Sequence, residues 1–169
     1  MKRADLQAPQ TRENFKAFLV ALEQTSPESY RKRYGDDVPD IDENVEFAAA
    51  ANALLLASRD GKIVGAADYV EDISFSSGTV AAVNAVLLDQ YQGKGIGKAL
   101  IYAIASDIRD KGYKYIISGV RSDNNSVIKI MNDAGHREMS DSHPGKYFRY
   151  FWMALDPDLS NTEPRQCDD

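Results

Sequence analysis

The chain has 169 residues, 43% hydrophobic and 27% charged, which fits one globular domain long enough for a full core. A net charge of −6 leaves no basic surplus to neutralise a nucleic-acid backbone, although one local basic pocket is compatible with it. The single cysteine, Cys167, excludes an internal disulfide and a cysteine-based metal cluster. No apolar run approaches a membrane span, and the opening MKRADLQAPQ lacks the apolar stretch of a secretory signal. The expectation is a cytoplasmic protein with no metal and no nucleic-acid or membrane partner; a homodimer is left open.

In chain order, Thr11 can cap a helix in which Phe15, Phe18, Leu19 and Leu22 recur at helical spacing. Ser26 and Pro27 then read as the N-cap and first residue of a second short helix, ended by Gly35. The acidic segment from Asp36 to Glu46 is expected as a surface loop or short helix over the sheet edge. ALLLASRDGKIVGAADYV predicts a β-hairpin turning at Asp60-Gly61. TVAAVNAVLL, with almost no alternation, predicts a strand buried on both faces. Ile96, Leu100, Ile104 and Ile108 mark a helix packing on the sheet, closed by Gly112. YKYIISGV gives a strand, NNSVIKIMNDAG a helix ending at Gly135, and GKYFRYFWMAL a terminal strand. The order predicts a single α/β domain over 1–155, a mixed sheet with helices on both faces, and a polar tail over 156–169 that frays.

Between strand and helix lies DQYQGKGIGKAL, with three glycines and two lysines. A P-loop is excluded, because Lys98 is followed by Ala99 and the first glycine is missing. A dinucleotide fingerprint is excluded as well: Gly93, Gly95 and Gly97 bring the third glycine one residue early. Glycines can serve a plain strand-to-helix turn. Yet successive N–H groups at a helix N-terminus also form an anion site, and Lys94 and Lys98 flank it in an otherwise acidic chain.

The run Gln92-Gly93-Lys94-Gly95-Ile96-Gly97 resembles the Q/R-x-x-G-x-G/A loop of the GNAT superfamily of N-acetyltransferases. VRSDNNSVIKIMNDAGH resembles that superfamily's second half, so the resemblance spans roughly residues 52 to 155. It implies a single-domain fold with a six- to seven-stranded mixed sheet and splayed central strands. It also implies acetyl-CoA as co-substrate and an amine acceptor, on a small molecule or a protein, as partner. Ala85, Val86 and Leu87 would offer backbone groups to the acetyl carbonyl and pantetheine. The amides of Gly93, Lys94, Gly95, Ile96, Gly97 and Lys98, after Gln92, would take the pyrophosphate, and Asn124 would reach the pantetheine arm. Asn124 also suits a helix N-cap. Asn84, polar in an apolar strand, lies where relatives place a polar residue near the acetyl group; alternatively it makes a hydrogen bond that pins the splayed strands.

Other family positions depart from the pattern. Met131 stands where relatives carry the tyrosine acid, and Gly119 and Ala81 or Ala82 stand where they carry a glutamate base. His143 and Tyr147 are the substitute acid or base candidates; His136, where relatives have phenylalanine, reads as a core or surface-tucked imidazole. Asp68, Tyr69, Glu71 and Asp72 form either a solvated strand end or an anionic lip for a cationic acceptor. Ser26, Pro27, Glu28, Arg33 and Tyr34 weakly resemble a stretch of bacterial protein-lysine acetyltransferases that modify acyl-CoA synthetases. Three functions remain: an acetyl-CoA-dependent N-acetyltransferase, a non-catalytic CoA-binding module of the same fold, and an α/β scaffold whose loop binds something else.

Overall fold

Glycines, prolines and capping residues bound the helices and strands of the described residues. The computed structural model describes residues 2–28, 40–51, 53–75, 80–140 and 148–165. In chain order they form β1 (Lys2–Arg3), α1 (Pro9–Thr25), α2 (Ile41–Ala50), β2 (Ala53–Arg59), β3 (Lys62–Glu71) and β4 (Val80–Leu87). There follow α3 (Ile96–Asp110), β5 (Tyr115–Arg121), α4 (Asn125–Asp133), β6 (Arg137–Glu138) and β7 (Phe148–Ala154). Among these residues no helix is long and apolar enough to cross a membrane.

Helix α1 starts two residues before the expected Thr11, because Pro9 occupies the first turn, where its missing N–H costs nothing. The acidic segment is a helix: Asp40 accepts from Glu43 N–H at 2.8 Å, and Glu43 accepts from Asp40 N–H at 3.2 Å. Helix α2 runs on to Ala50, past the expected end at Glu46. Pro27 and Glu28 are helical, as expected of a second helix, whose remainder lies outside the described residues with Gly35, Arg33 and Tyr34. The hairpin turns where expected, with Asp60 at φ 51° and Gly61 at φ 76°. β1 and β6, two residues each, have no period for a sequence to reveal.

Strand hydrogen bonding runs β1-β2-β3-β4-β5-β7-β6. The β4–β5 pair is parallel, whereas β1–β2, β2–β3, β5–β7 and β6–β7 are antiparallel. This is the mixed α/β sheet that the sequence predicts. The β4–β5 ladder pairs Val80 with Tyr115, Ala81 with Ile116 and Ala82 with Ile117, and ends there, although both strands continue.

The chain divides into two compact units, Met1–Tyr69 with Asn84–Ile104, and Val70–Val83 with Ala105–Asp169. In the first, the core joins Phe15, Phe18, Leu19 and Leu22 of α1 and Val45 of α2 to Leu54, Leu56, Ala66, Val86 and Leu88. The Arg12–Glu46 and Lys16–Asp42 ion pairs clip α1 to α2 at the surface. In the second, Tyr115, Ile117 and Trp152 pack around Phe75, with Tyr115 edge-on to Trp152 at 6.3 Å. The described part of the tail is held there: Glu163 accepts from Ser140 N–H and Oγ at 3.0 Å, and Asn161 accepts from Arg137.

Candidate functional site: a strand end and a glycine loop

Leu88 N–H donates to Val64 C=O at 3.0 Å, and Asn84 meets Asp68 four residues along each strand in opposite senses, so β4 runs antiparallel to β3. This register brings Asp68 opposite Asn84, whose Nδ2 donates to Asp68 Oδ1 at 3.2 Å. Alternation then assigns the faces. Ala66, Val86 and Leu88 lie in the core with α1 and α2. Gly65 faces the other way, where an added Cβ would stand 2.8 Å from Leu87 and 3.0 Å from Leu100 of α3. A glycine at 65 is what lets α3 sit this close. Burial is not continuous along β4: Asn84 and Ala85 are both exposed, against the expectation of a strand buried on both faces.

From β4 the chain makes a single 3-10 turn, Asp89–Tyr91, and enters the glycine loop. Gly93 (φ 71°) and Gly95 (φ 79°) occupy the left-handed region, so glycine is required there for backbone reasons alone. Gly97 is different. It lies in the first turn of α3 without a positive φ, and a Cβ built on it would meet nothing within 4 Å. The first helical bond is from Ala99 N–H to Gly95 C=O. The N–H groups of Ile96, Gly97 and Lys98 therefore precede the helical ladder, at the positive end of a 15-residue helix. Lys94 folds back onto Gln90 C=O at 2.9 Å and over the Tyr91 ring at 5.4 Å; Lys98 lies 5.5 Å over Tyr102.

A residue that sequence reading assigned elsewhere supports this loop. Ser26, expected as a helix N-cap, is 1% exposed, and its Oγ accepts from Asp89 N–H at 2.9 Å. The end of α1 is thus tied to the turn that launches the glycine loop. Asp68 and Tyr69 depart from expectation: both are buried, so neither belongs to a solvated strand end or an anionic lip. Glu71 is exposed, and Asp72 accepts from Ser74 N–H and Oγ in a local turn.

In the second unit, Asn124 is the N-cap of α4, its side-chain oxygen accepting from Val127 N–H at 3.4 Å. Met131 is a buried core residue of that helix, 3% exposed, with no proton to give. Gly119 pairs with Tyr150 across β5 and β7, and a Cβ at 119 would stand 3.2 Å from the Tyr150 ring. The phenol of Tyr150 thus covers the place where a larger side chain at 119 would emerge, a juxtaposition invisible at a separation of 31 residues. His136 is buried as expected, and its Nδ1 has no hydrogen-bond partner. Burial pushes its pKa down to about 4, partly opposed by a hydrogen bond to the Met131 backbone. Such an imidazole stays neutral near pH 7 and is no acid for catalysis. His143 and Tyr147 lie outside the described residues. Among the described residues, no group of three or more His, Cys, Asp or Glu side chains could hold a metal.

Comparison with known proteins agrees with this arrangement. The GNAT domain of S. lividans PAT has a TM-score of 0.75 at 21% identity, covering 90% of this chain and 88% of that one. YncA from Salmonella typhimurium, whose structure holds its cofactor acetyl-CoA, scores 0.68 at 19% identity, covering 92% of each chain. A ribosomal-protein-alanine N-acetyltransferase from Brucella melitensis scores 0.66 at 17%, covering 82% of this chain and 95% of that one. At these identities the likeness is one of fold. No curated protein matches the sequence. The model of the acetyltransferase (GNAT) family matches residues 17–135, well over half of the chain, and the chain belongs to that family.

Proposed function

We propose that this chain is an acetyl-CoA-dependent N-acetyltransferase that moves the acetyl group directly to a primary amine of a small molecule or a protein. One observation carries the reading: N–H groups outside the helical ladder at the start of α3, with open space at Gly97, follow by one turn and the glycine loop a strand whose own ladder has ended. A pyrophosphate fits the loop because its charge meets the helix N-terminus and no side chain bars its approach. In this reading Gln92 through Lys98 hold the pyrophosphate and Asn124 the pantetheine arm. The Asn124 cap uses the side-chain oxygen, which leaves the amide NH2 group as the donor for that contact.

Of Ala85, Val86 and Leu87, alternation turns the Val86 backbone toward β3. The N–H and C=O groups of Ala85 and Leu87 face the opposite edge of β4. Ala85 N–H is therefore the donor for the oxyanion, and Ala85 and Leu87 pair with the pantetheine as an added strand. The amine attacks the thioester carbonyl, a C–N bond forms, the C–S bond breaks, and coenzyme A leaves as its thiol. Alignment and backbone donors supply the rate enhancement in place of the missing tyrosine and glutamate. The acceptor's own pKa then matters: at pH 7 a lysine amine is about 0.04% neutral, and an α-amine about 10%.

The reading is tested by thermal stabilisation with acetyl-CoA, then by thiol release across amines and peptides. Stabilisation with turnover supports it. No stabilisation at millimolar acetyl-CoA overturns the donor assignment, and stabilisation without turnover on any acceptor points to a non-catalytic CoA-binding module.

A further inference from the structure

Asp68 is 5% exposed, on the face of β3 that carries Ala66 into the core. A carboxylate there is costly unless hydrogen bonds hold it. One of those bonds comes from Asn84 Nδ2, directly across on β4, at 3.2 Å. With its NH2 group donating to Asp68, the Asn84 amide turns its Oδ1 away from that carboxyl group. Asn84 itself is exposed, one residue before Ala85, and shares its face of β4 with Val86, which packs with α1 and α2. The first unit thus presents a hydrogen-bond acceptor of enforced orientation next to the strand position proposed for the acyl carbonyl.

We infer that Asn84 Oδ1 accepts a hydrogen bond from the N–H of the acceptor amine, and that Asp68 is the residue that positions it. The inference rests on the acetyl-transfer reading and assigns one contact of its amine acceptor. As the C–N bond forms, the nitrogen turns cationic and its N–H bonds polarise, so the bond to Oδ1 strengthens on the way to the transition state. The C–S bonding electrons leave with sulfur. The extra proton on nitrogen passes to solvent water, and the thiolate takes one from solvent; the amide of Asn84 exchanges none.

The test uses protein saturated with coenzyme A and two probes, a lysine-containing peptide and a peptide with a free α-amine, each beside its N-trimethyl counterpart. Binding is followed by calorimetry and by the side-chain amide resonances of Asn84. At least one N–H peptide is expected to bind about tenfold tighter than its trimethyl counterpart and to shift the Asn84 resonances. Tenfold is ~1.4 kcal/mol, within the range for a hydrogen bond to a charged group. In Asp68→Asn the facing amide can accept or donate, the orientation is no longer enforced, and the preference falls toward unity. Asn84→Leu, at an exposed position, gives the same loss even if Asp68→Asn fails to fold. Acetyl-CoA binding, measured in each variant, shows whether it is folded. Equal binding of the trimethyl peptides, a preference that survives either substitution, or no Asn84 response in protein that does bind coenzyme A would overturn the inference. Wild-type protein that fails to bind acetyl-CoA would instead bring down the donor reading, and this inference with it.

Discussion

Gly97→Glu separates a glycine needed by a ligand from a glycine needed by the fold. In the free protein the change is favourable. Gly97 lies in the first turn of α3 with ordinary backbone angles and nothing within 4 Å of its missing Cβ. Replacing a helical glycine gains ~0.6–1 kcal/mol, and a carboxylate near a helix N-terminus adds ~0.3–1 kcal/mol. The variant should therefore be about 1 kcal/mol more stable, a rise of roughly 2–4 °C in Tm for a chain of this size. For a bound pyrophosphate the same carboxylate is adverse. Two unit charges about 4 Å apart repel by ~4 kcal/mol at an effective dielectric of about 20. Allowing for the side chain to swing aside, acetyl-CoA affinity should fall at least about a hundredfold, ~2.7 kcal/mol. Calorimetric titration of acetyl-CoA and a thermal melt of the free variant measure the two effects in one preparation. Undiminished affinity refutes the phosphate role of the loop; a lowered Tm refutes the open space at Gly97.

His136 supplies a pH test with a definite sign. Its folded pKa near 4 lies below the ordinary 6.5, so the stability tied to the neutral ring is complete above about pH 6.5 and drains away as pH falls toward 4. The loss reaches up to ~3 kcal/mol, and urea midpoints at pH 7, 5.5 and 4.5 should show a shallower slope for His136→Phe than for wild type; equal slopes would count against the buried neutral ring. Asp40→Ala removes the capping box of α2 and should lower stability by ~1 kcal/mol in urea unfolding, with no change in acetyl-CoA affinity. Leu22→Ala empties a site with 0% exposure in the α1 core and should cost ~2–5 kcal/mol by the same measurement.

What was legible in the sequence was whatever repeats or turns locally. Helix α3 announces itself by an apolar residue every four positions, the hairpin by Asp60-Gly61, and the loop by three glycines before that helix. The two-residue strands β1 and β6 carry no period, and α2 outran its acidic start because its capping box, not its composition, sets where it begins. Ser26 reads locally as a helix start and does precede helical Pro27, but the bond from Asp89 N–H to its hydroxyl spans 63 residues and no local pattern reveals it. Asp68 reads as part of a surface acidic cluster, yet its burial and its bond to Asn84 depend on strand register.

The same division separates donor from acceptor in the proposed site. The pyrophosphate would be held by consecutive backbone amides, so the device that binds it must be contiguous, and a short motif suffices to reveal it. Catalysis and acceptor choice rest on side chains that meet only across strands. Gly119 taken alone shows a missing glutamate; with Tyr150 against it, the bare backbone is the condition for a phenol to occupy that place. Asn84 taken alone is an interruption in an apolar strand; opposite Asp68 it becomes an amide with one permitted orientation. In the proposed reading the chain lacks the usual acid and base, so its site has to be judged pair by pair. The pair with a buried carboxyl group behind an exposed amide is the one whose geometry already selects a chemistry, an N–H donor.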